Sequence, residues 1–343
     1  MPASQPAVAG LGALLLLSSS MCLAADVRLA RGVGGAVVRS AEGAEIHLPL
    51  TNPRDLDLAR GVGGQYWIAA TEEASGGVRL RLFVGQATAE VGLPTPIPNP
   101  SGDSTLLQLS PIWLTTAGHP VLAWLEGRDI QRLSVRAATW TGTRWVHPRL
   151  VAPPAPGSQL ALSGAVLEGK PVLAWAAFDG KDDEILWSRW DGRRWTRAQR
   201  LTNDNRVPDV TPSLTVISGR LLASWARFDG DTYRVVVSGF DGTRWAAPRP
   251  LGLGATSAPR FVESANGPIL LARRTPPGSL VAYELDPQGE WSGRSASVVD
   301  PSDLRLNPSR IDVVGTDGQG VAVLDERGRA HELRWQADTA TQR

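Results

Sequence analysis

Two sets of tryptophans recur along this chain with one period. Trp124, Trp175 and Trp225 each end an apolar run (VLAW, VLAW, LLASW), 51 and 50 residues apart. Trp145, Trp195 and Trp245 each close a short turn (TGTRW, DGRRW, DGTRW), 50 and 50 apart. A fixed period of this size belongs to solenoids, propellers and arrays, in which one small unit hides its apolar face against the next.

Residues 163–202 show what one unit contains. Four short runs, Ala165–Leu167, Val172–Ala177, Ile185–Trp190 and Trp195–Leu201, are separated by EGKP, FDGKDD and DGRR. Short runs rich in Val, Leu, Ile and Trp between Gly, Asp and Pro clusters read as strands and hairpins. The pair Asp191-Gly192 suits a tight turn with positive φ at the glycine. Residues 111–151 and 212–251 repeat the pattern closely, and 57–97 and 259–298 repeat it more weakly. No helical periodicity follows residue 20. Four antiparallel strands in about 45 residues make one propeller blade. Residues 308–335 supply three further runs, and Ile46–Asn52, similar to 198–204, is the candidate fourth. The prediction is therefore all-β: a six-bladed β-propeller of four-stranded antiparallel blades over residues 45–336, its ring closed by an N-terminal strand. Residues 26–44 are left over as a place for an extra strand, and RGVGG at 31–35 and 61–65 keeps a seven-bladed alternative open. Residues 337–343 read as a tail.

Leu11–Leu17 followed by SSSMCLAAD has the form of a secretory leader spanning residues 1–25, without an early Lys or Arg. It predicts export to the periplasm or beyond. Cys22 offers a lipid anchor as a lesser alternative, since Met21 stands where a small residue is wanted. No later stretch nears 18 apolar residues, so no membrane span is expected. Cys22 is the only cysteine, which excludes an internal disulfide and a thiolate metal site. His47, His119, His147 and His331 are scattered, and no metal or cofactor motif appears. The net charge is +1, from 35 basic and 34 acidic residues without a long like-charge run. Nucleic acid is therefore not an expected partner.

The hairpin Ser188-Arg-Trp-Asp191-Gly192-Arg-Arg-Trp195, its copy Ser238-Gly-Phe-Asp241-Gly242-Thr-Arg-Trp245, and the Asp-less copy ending in Trp145 resemble the Asp-box of sialidase-like propellers. The Asp sits one place later than in that pattern. The resemblance covers roughly residues 45–335 and implies the fold, with glycoside hydrolysis as an expectation. The early Arg-containing signature of sialidases is not recognisable, and only Tyr66, Tyr233 and Tyr283 could serve as their nucleophile. A weaker resemblance joins the Trp-Asp-Gly-x-x-Trp hairpin to fucose-binding six-bladed lectins. Trp187 and Val237 stand where those lectins carry a sugar-binding Glu, and the second strands lack their Arg, so that site does not carry over.

Turn chemistry accounts for Asp191, Gly192, Asp241 and Gly242, and wedging between blades accounts for Trp145, Trp195 and Trp245. A repeated sugar site at these hairpins is the competing reading. Core packing accounts for Trp124, Trp175 and Trp225. The loops after each second strand lie on the opposite face, where ligands are usually held over a rigid scaffold. There Arg128, Arg227, Arg273 and Arg274 could converge with Glu126, Asp179, Asp229 and Asp325. The Asp cluster at 179, 182 and 183 lacks a helix-flanked calcium spacing, and no metal is predicted. The leading expectation is a non-catalytic binding protein that holds a carbohydrate or a protein on this loop face. The alternatives are a sialidase-like glycoside hydrolase and a scaffold for envelope assembly.

Overall fold

The apolar runs form short antiparallel strands, and the described residues contain no α-helix. A computed structural model of the chain describes residues 28–32, 35–39, 45–74, 77–87, 92–101, 106–116, 119–203, 206–252, 254–262, 268–274, 279–285, 290–298, 312–316, 320–324 and 330–335. The proposed leader, Cys22 and Asp325 lie outside them. The strands fall into six sheets.

An N-terminal sheet holds β1 (Arg28–Gly32), β2 (Gly35–Arg39) and β3 (Glu45–His47). The first blade is β4 (Pro53–Arg60), β5 (Gln65–Ala74), β6 (Gly77–Gln86) and β7 (Thr95–Ile97). The second is β8 (Leu107–Thr115), β9 (Pro120–Gly127), β10 (Ser134–Trp140) and β11 (Trp145–Ala152). The third is β12 (Gln159–Leu167), β13 (Lys170–Phe178), β14 (Asp183–Arg189) and β15 (Gln199–Arg200). The fourth is β16 (Asp209–Ile217), β17 (Arg220–Phe228), β18 (Tyr233–Gly239) and β19 (Arg249–Pro250). The last sheet joins β20 (Thr256–Val262), β21 (Ile269–Arg274), β22 (Ser279–Leu285) and β23 (Trp291–Val298) to β26 (Ala330–Trp335), β25 (Gly320–Leu324) and β24 (Asp312–Thr316), in that order.

One expectation is corrected here. Residues 46–52 do not supply the closing strand of the C-terminal blade. Ile46 pairs with Val38 on β2, and β26 takes β23 as its outer neighbour, through Ala296↔Trp335. The reason is local: a hairpin between neighbouring segments loses far less loop-closure entropy than a pairing across most of the chain. Leu48 and Leu50 then bury with Val38 against Leu56, Ile68 and Phe83 of the first blade. The segment 26–44, read as a place for an extra strand, holds β1 and β2.

Cores lie between blades, as stacking of incomplete units requires. Trp67, Trp113, Trp124 and Trp140 fill the boundary of the first and second blades. Trp175 fills that of the second and third with Leu125, Leu133 and Val135. Trp225 fills that of the third and fourth with Ile185 and Trp187. Trp124, Trp175 and Trp225 are at most 2% exposed. They are core residues, with no exposed ring face.

Each first strand carries a β-bulge near its start. Register shifts fall at Leu109/Ile112, Leu160/Ser163, Val210/Ser213 and Ser257/Arg260, and Ser110, Ala161, Thr211 and Ala258 have φ of 49°, 53°, 53° and 49°. Such a conformation costs a non-glycine residue about 1–3 kcal/mol. Its repetition at equivalent places shows what it serves. Two residues after Ala161 and Thr211, a side chain accepts an amide from the next blade, Ser163 Oγ from Leu214 N (3.0 Å) and Ser213 Oγ from Phe261 N (2.9 Å); on β4, Asp57 Oδ2 accepts Trp113 N of the second blade (2.6 Å). In the third and fourth blades the bulge thus stands beside the side chain that latches one blade to the next. A cavity of about 180 Å³ remains between these strands.

Candidate functional site

The loop-face candidates are held by their own neighbourhoods. Asp179 caps its turn by accepting the amides of Lys181 (3.0 Å) and Asp182 (3.4 Å), and it pairs with Arg200 at 2.8 Å. Although partial burial pushes its carboxyl up, those bonds win and hold it below its usual range. Asp229 repeats the arrangement with the amides of Asp231 and Thr232 and with the Arg234 guanidinium. The Arg234 bond and then the amides lower its pKa to about 2. Glu126 is buried and accepts the Trp124 indole N–H (3.0 Å) and the Gln108 amide (3.1 Å). Arg227 forms a two-pronged pair with fully buried Asp209: Nε to Oδ1 and Nη2 to Oδ2, both 2.8 Å. Asp209 also accepts the Trp225 indole N–H at 2.7 Å. These four residues fix turns and buried polar pairs. Arg128 and Arg274 are exposed, and Arg273 is half-buried on β21. Neither cavity described here is lined by any of the seven described candidates.

Asp179, Asp182 and Glu184 bring one carboxylate oxygen each within 4.8 Å of the others. Burial first, then the Asp182 charge, raises the Asp183 pKa. Burial dominates at Glu184 and raises its pKa despite the Thr202 hydroxyl bond. Arg200 is 3.8 Å from Glu184 and 2.8 Å from Asp179, so the cluster carries its own counter-ion.

The central cavity is lined by Asp57, Arg260, Ser163, Thr211, Ser213 and Trp113 among others, and contributes one carboxylate and one guanidinium. Tyr66 and Tyr283 are 1% exposed. Burial pushes the Tyr66 phenol up from its ordinary value. Tyr233 packs on Phe228 with ring centres 5.3 Å apart. No described tyrosine is thus presented to the cavity as a nucleophile.

The hairpins on the other face behave as turn chemistry dictates. Asp191 Oδ1 accepts the amides of Arg193 and Arg194, both at 2.8 Å, and Gly192 takes φ 105°. Asp241 Oδ1 accepts those of Thr243 and Arg244 at 2.8 Å, and Gly242 takes φ 99°. These amide bonds lower both carboxyl pKa values. Thr141 does the same work in the Asp-less copy, accepting the Arg144 amide at 3.3 Å.

The closing tryptophans differ in what lies outside them. Trp145 sits at 5.9 Å from Trp113 in a stacked pair and donates to Pro98 O at 2.5 Å. Trp245 packs between Trp187 and Phe240. Trp195 packs on the core between the second and third blades and, edge-on, against Trp190 at 5.9 Å. It also lines a cleft of about 640 Å³ with Arg149, Leu150, Asp191, Arg193 and Arg194. The cleft runs from β11, the long outer strand of the second blade, to the hairpin of the third. Sequence reading treated Trp195 first as a wedge, with a repeated sugar site at the hairpins as the competing reading, and did not single out a cleft at this boundary. Its only sequence signal was the doubled arginine, which turn chemistry does not need.

Fold and site together define a β-propeller with an aromatic and cationic cleft between two blades. No protein-family model and no curated protein sequence matches the chain. Among solved structures it is similar to an ulvan lyase of polysaccharide lyase family PL25 (TM-score 0.58, 9% identity, covering 88% of this chain and 86% of that one). It is also similar to the polysaccharide lyase Uly1 (0.56, 11%, 88% and 84%) and to the Dos1 propeller (0.52, 9%, 90% and 75%). At such identities the likeness is one of fold.

Proposed function

We propose that this chain is an exported, non-catalytic propeller that binds a saccharide in the cleft at Trp195. The observation that carries this reading is an indole lining a cleft of about 640 Å³ beside the exposed side chain of Leu150, between guanidinium groups. That volume falls within the usual range of small-molecule sites. The C–H face of a pyranose lies flat on an indole, and its hydroxyls meet fixed N–H donors at the rim. Trp195 needs no rearrangement to serve, because Trp190 and the blade core hold it from behind.

Two further points support the reading. The lyases with a similar fold act on polysaccharides by their names. Among the described residues, the central cavity is lined by one carboxylate, Asp57, and that group accepts the Trp113 amide. Glycoside hydrolysis by the usual route needs two carboxyl groups flanking the bond. Among the described residues, the large exposed apolar side chains, Val62, Leu93, Ile130, Leu150 and Leu160, come from separate elements, which favours a saccharide over an apolar scaffold surface. Export rests on the leader at residues 1–25.

The test is glycan-array binding of the purified chain beside its Trp195→Ala variant, with polysaccharide depolymerisation assayed in parallel. Saccharide binding lost in the variant, without depolymerisation, is expected. Depolymerisation by the parent chain, or binding untouched by Trp195→Ala, would overturn the reading.

A further inference from the structure

We infer that the saccharide held at Trp195 is acidic, and that Arg149 and Arg194 grip its carboxylate or sulfate group. The inference rests on the saccharide reading and adds the ligand's charge to it.

Comparison of two blade boundaries carries the argument. Arg149 pairs with Ala137 on β10, and Arg249 pairs with Val237 on β18; they occupy the same place on the outer strands of the second and fourth blades. Arg194 directly precedes Trp195, and Glu290 directly precedes Trp291, so they occupy the same place at the hairpins of the following blades. At the fourth boundary these two places form an ion pair: Arg249 Nη1 donates to Glu290 Oε2 at 3.0 Å. At the second boundary the same two places hold arginine against arginine, and both side chains line the cleft. At the third boundary the outer-strand place is Gln199, so two cations do not meet there.

Arg193 adds to the imbalance. The equivalent residues of the neighbouring hairpins are Thr143 and Thr243, which are neutral. The one acidic residue lining the cleft, Asp191, spends Oδ1 on the turn amides and sits 3.8 Å from Arg194 through Oδ2. Three guanidiniums against one carboxylate leave the lining at +2. Where the fold elsewhere seats a counter-ion in the chain, here it leaves the place for one outside it. Planar guanidiniums accept a carboxylate or sulfate by paired N–H bonds, and the flat indole beside them takes the sugar ring.

Isothermal titration of the intact protein tests this with oligogalacturonate as the carboxylate probe, an oversulfated dextran oligosaccharide as the sulfate probe, and a cello-oligosaccharide as the neutral one. The variants are Arg149→Glu, which copies the charge arrangement of the fourth boundary and should preserve the fold, and Arg194→Gln. Melting curves of both confirm folding. At least one acidic probe should bind at least tenfold tighter than the neutral one. That advantage should shrink tenfold or more in each variant and weaken with salt. The stronger acidic probe identifies the group as carboxylate or sulfate. Equal binding of neutral and acidic probes, or acidic binding unchanged in both variants, would overturn the inference and leave the saccharide reading standing. Binding of none of the three would count against the saccharide reading itself. Equal retention of single-stranded DNA by the same arginines would overturn a glycan ligand.

Discussion

Arg227 separates a structural reading of the loop face from a ligand-binding one. Replacing it by methionine removes both prongs of its bond to Asp209, a carboxylate with no exposed surface. The Trp225 indole N–H would still donate to it. Removing one member of a buried ion pair costs about 3–5 kcal/mol, because the surviving charge stays out of water. At roughly 2 °C per kcal/mol for a chain of this size, the melting temperature should fall by roughly 6–10 °C. Adding Asp209→Leu should recover most of the loss, since replacing both charges by apolar groups is often near neutral. The indole N–H left behind is tolerable on internal grounds: Trp175 Nε1 is already buried without a hydrogen-bond partner. Calorimetry on the parent, the single variant and the double variant reads both numbers. A single variant that melts within a degree or two of the parent yet loses its ligand would refute the reasoning and return Arg227 to the binding site.

Gly164→Ala should destabilise the chain by about 1–3 kcal/mol, read by urea unfolding, because the new methyl would lie 2.9 Å from Ile112 Cδ1 and 3.0 Å from Leu114 Cδ2 across the blade boundary. Glu184→Gln should raise stability at pH 7 and lose that gain at pH 4, followed by melting temperature against pH. The sign follows from the raised pKa of Glu184: between its unfolded value and the higher folded one, the native state binds more protons, so the parent loses stability as pH rises through that window. Asp229 works in the other direction. Its folded pKa of about 2 lies below its ordinary value of 3.8, so the stability its turn contributes is present above 3.8 and fades as pH falls toward 2. Asp229→Asn should therefore differ from the parent more at pH 6 than at pH 2.

The blades were legible because their turns and tryptophans are local. Asp-Gly pairs dictate hairpins wherever they fall, and an apolar run ending in Trp reads as a buried strand. The innermost strands were legible only in part. The sequence run Ala165–Leu167 is the tail of a strand that begins at Gln159. A buried glutamine and a left-handed Ala161 interrupt the alternation on which strand reading depends. The fourth strands were overlong in prospect: Trp195–Leu201 reduces to two ladder residues and a lone Trp190↔Trp195 bridge. The N-terminal hairpin was hidden because Ile46–Asn52 resembles an outer strand in composition, and composition does not state a partner. The loop-face carboxylates Asp179 and Asp229 each precede a glycine, so the same local signal marks them as caps of their own turns, although the loop-face reading took them for ligand groups. The cleft escaped for a different reason. Arg149 and Arg194 are 45 residues apart in sequence, and their conflict appears only against the ion pair at the equivalent boundary.

The most direct measurement of the account is a crystal structure of the protein with a bound acidic oligosaccharide. A sugar ring flat on Trp195, with its anionic group between Arg149 and Arg194, is the predicted result. Sugar density in the central cavity or on the opposite face, with the Trp195 cleft holding solvent, would contradict it.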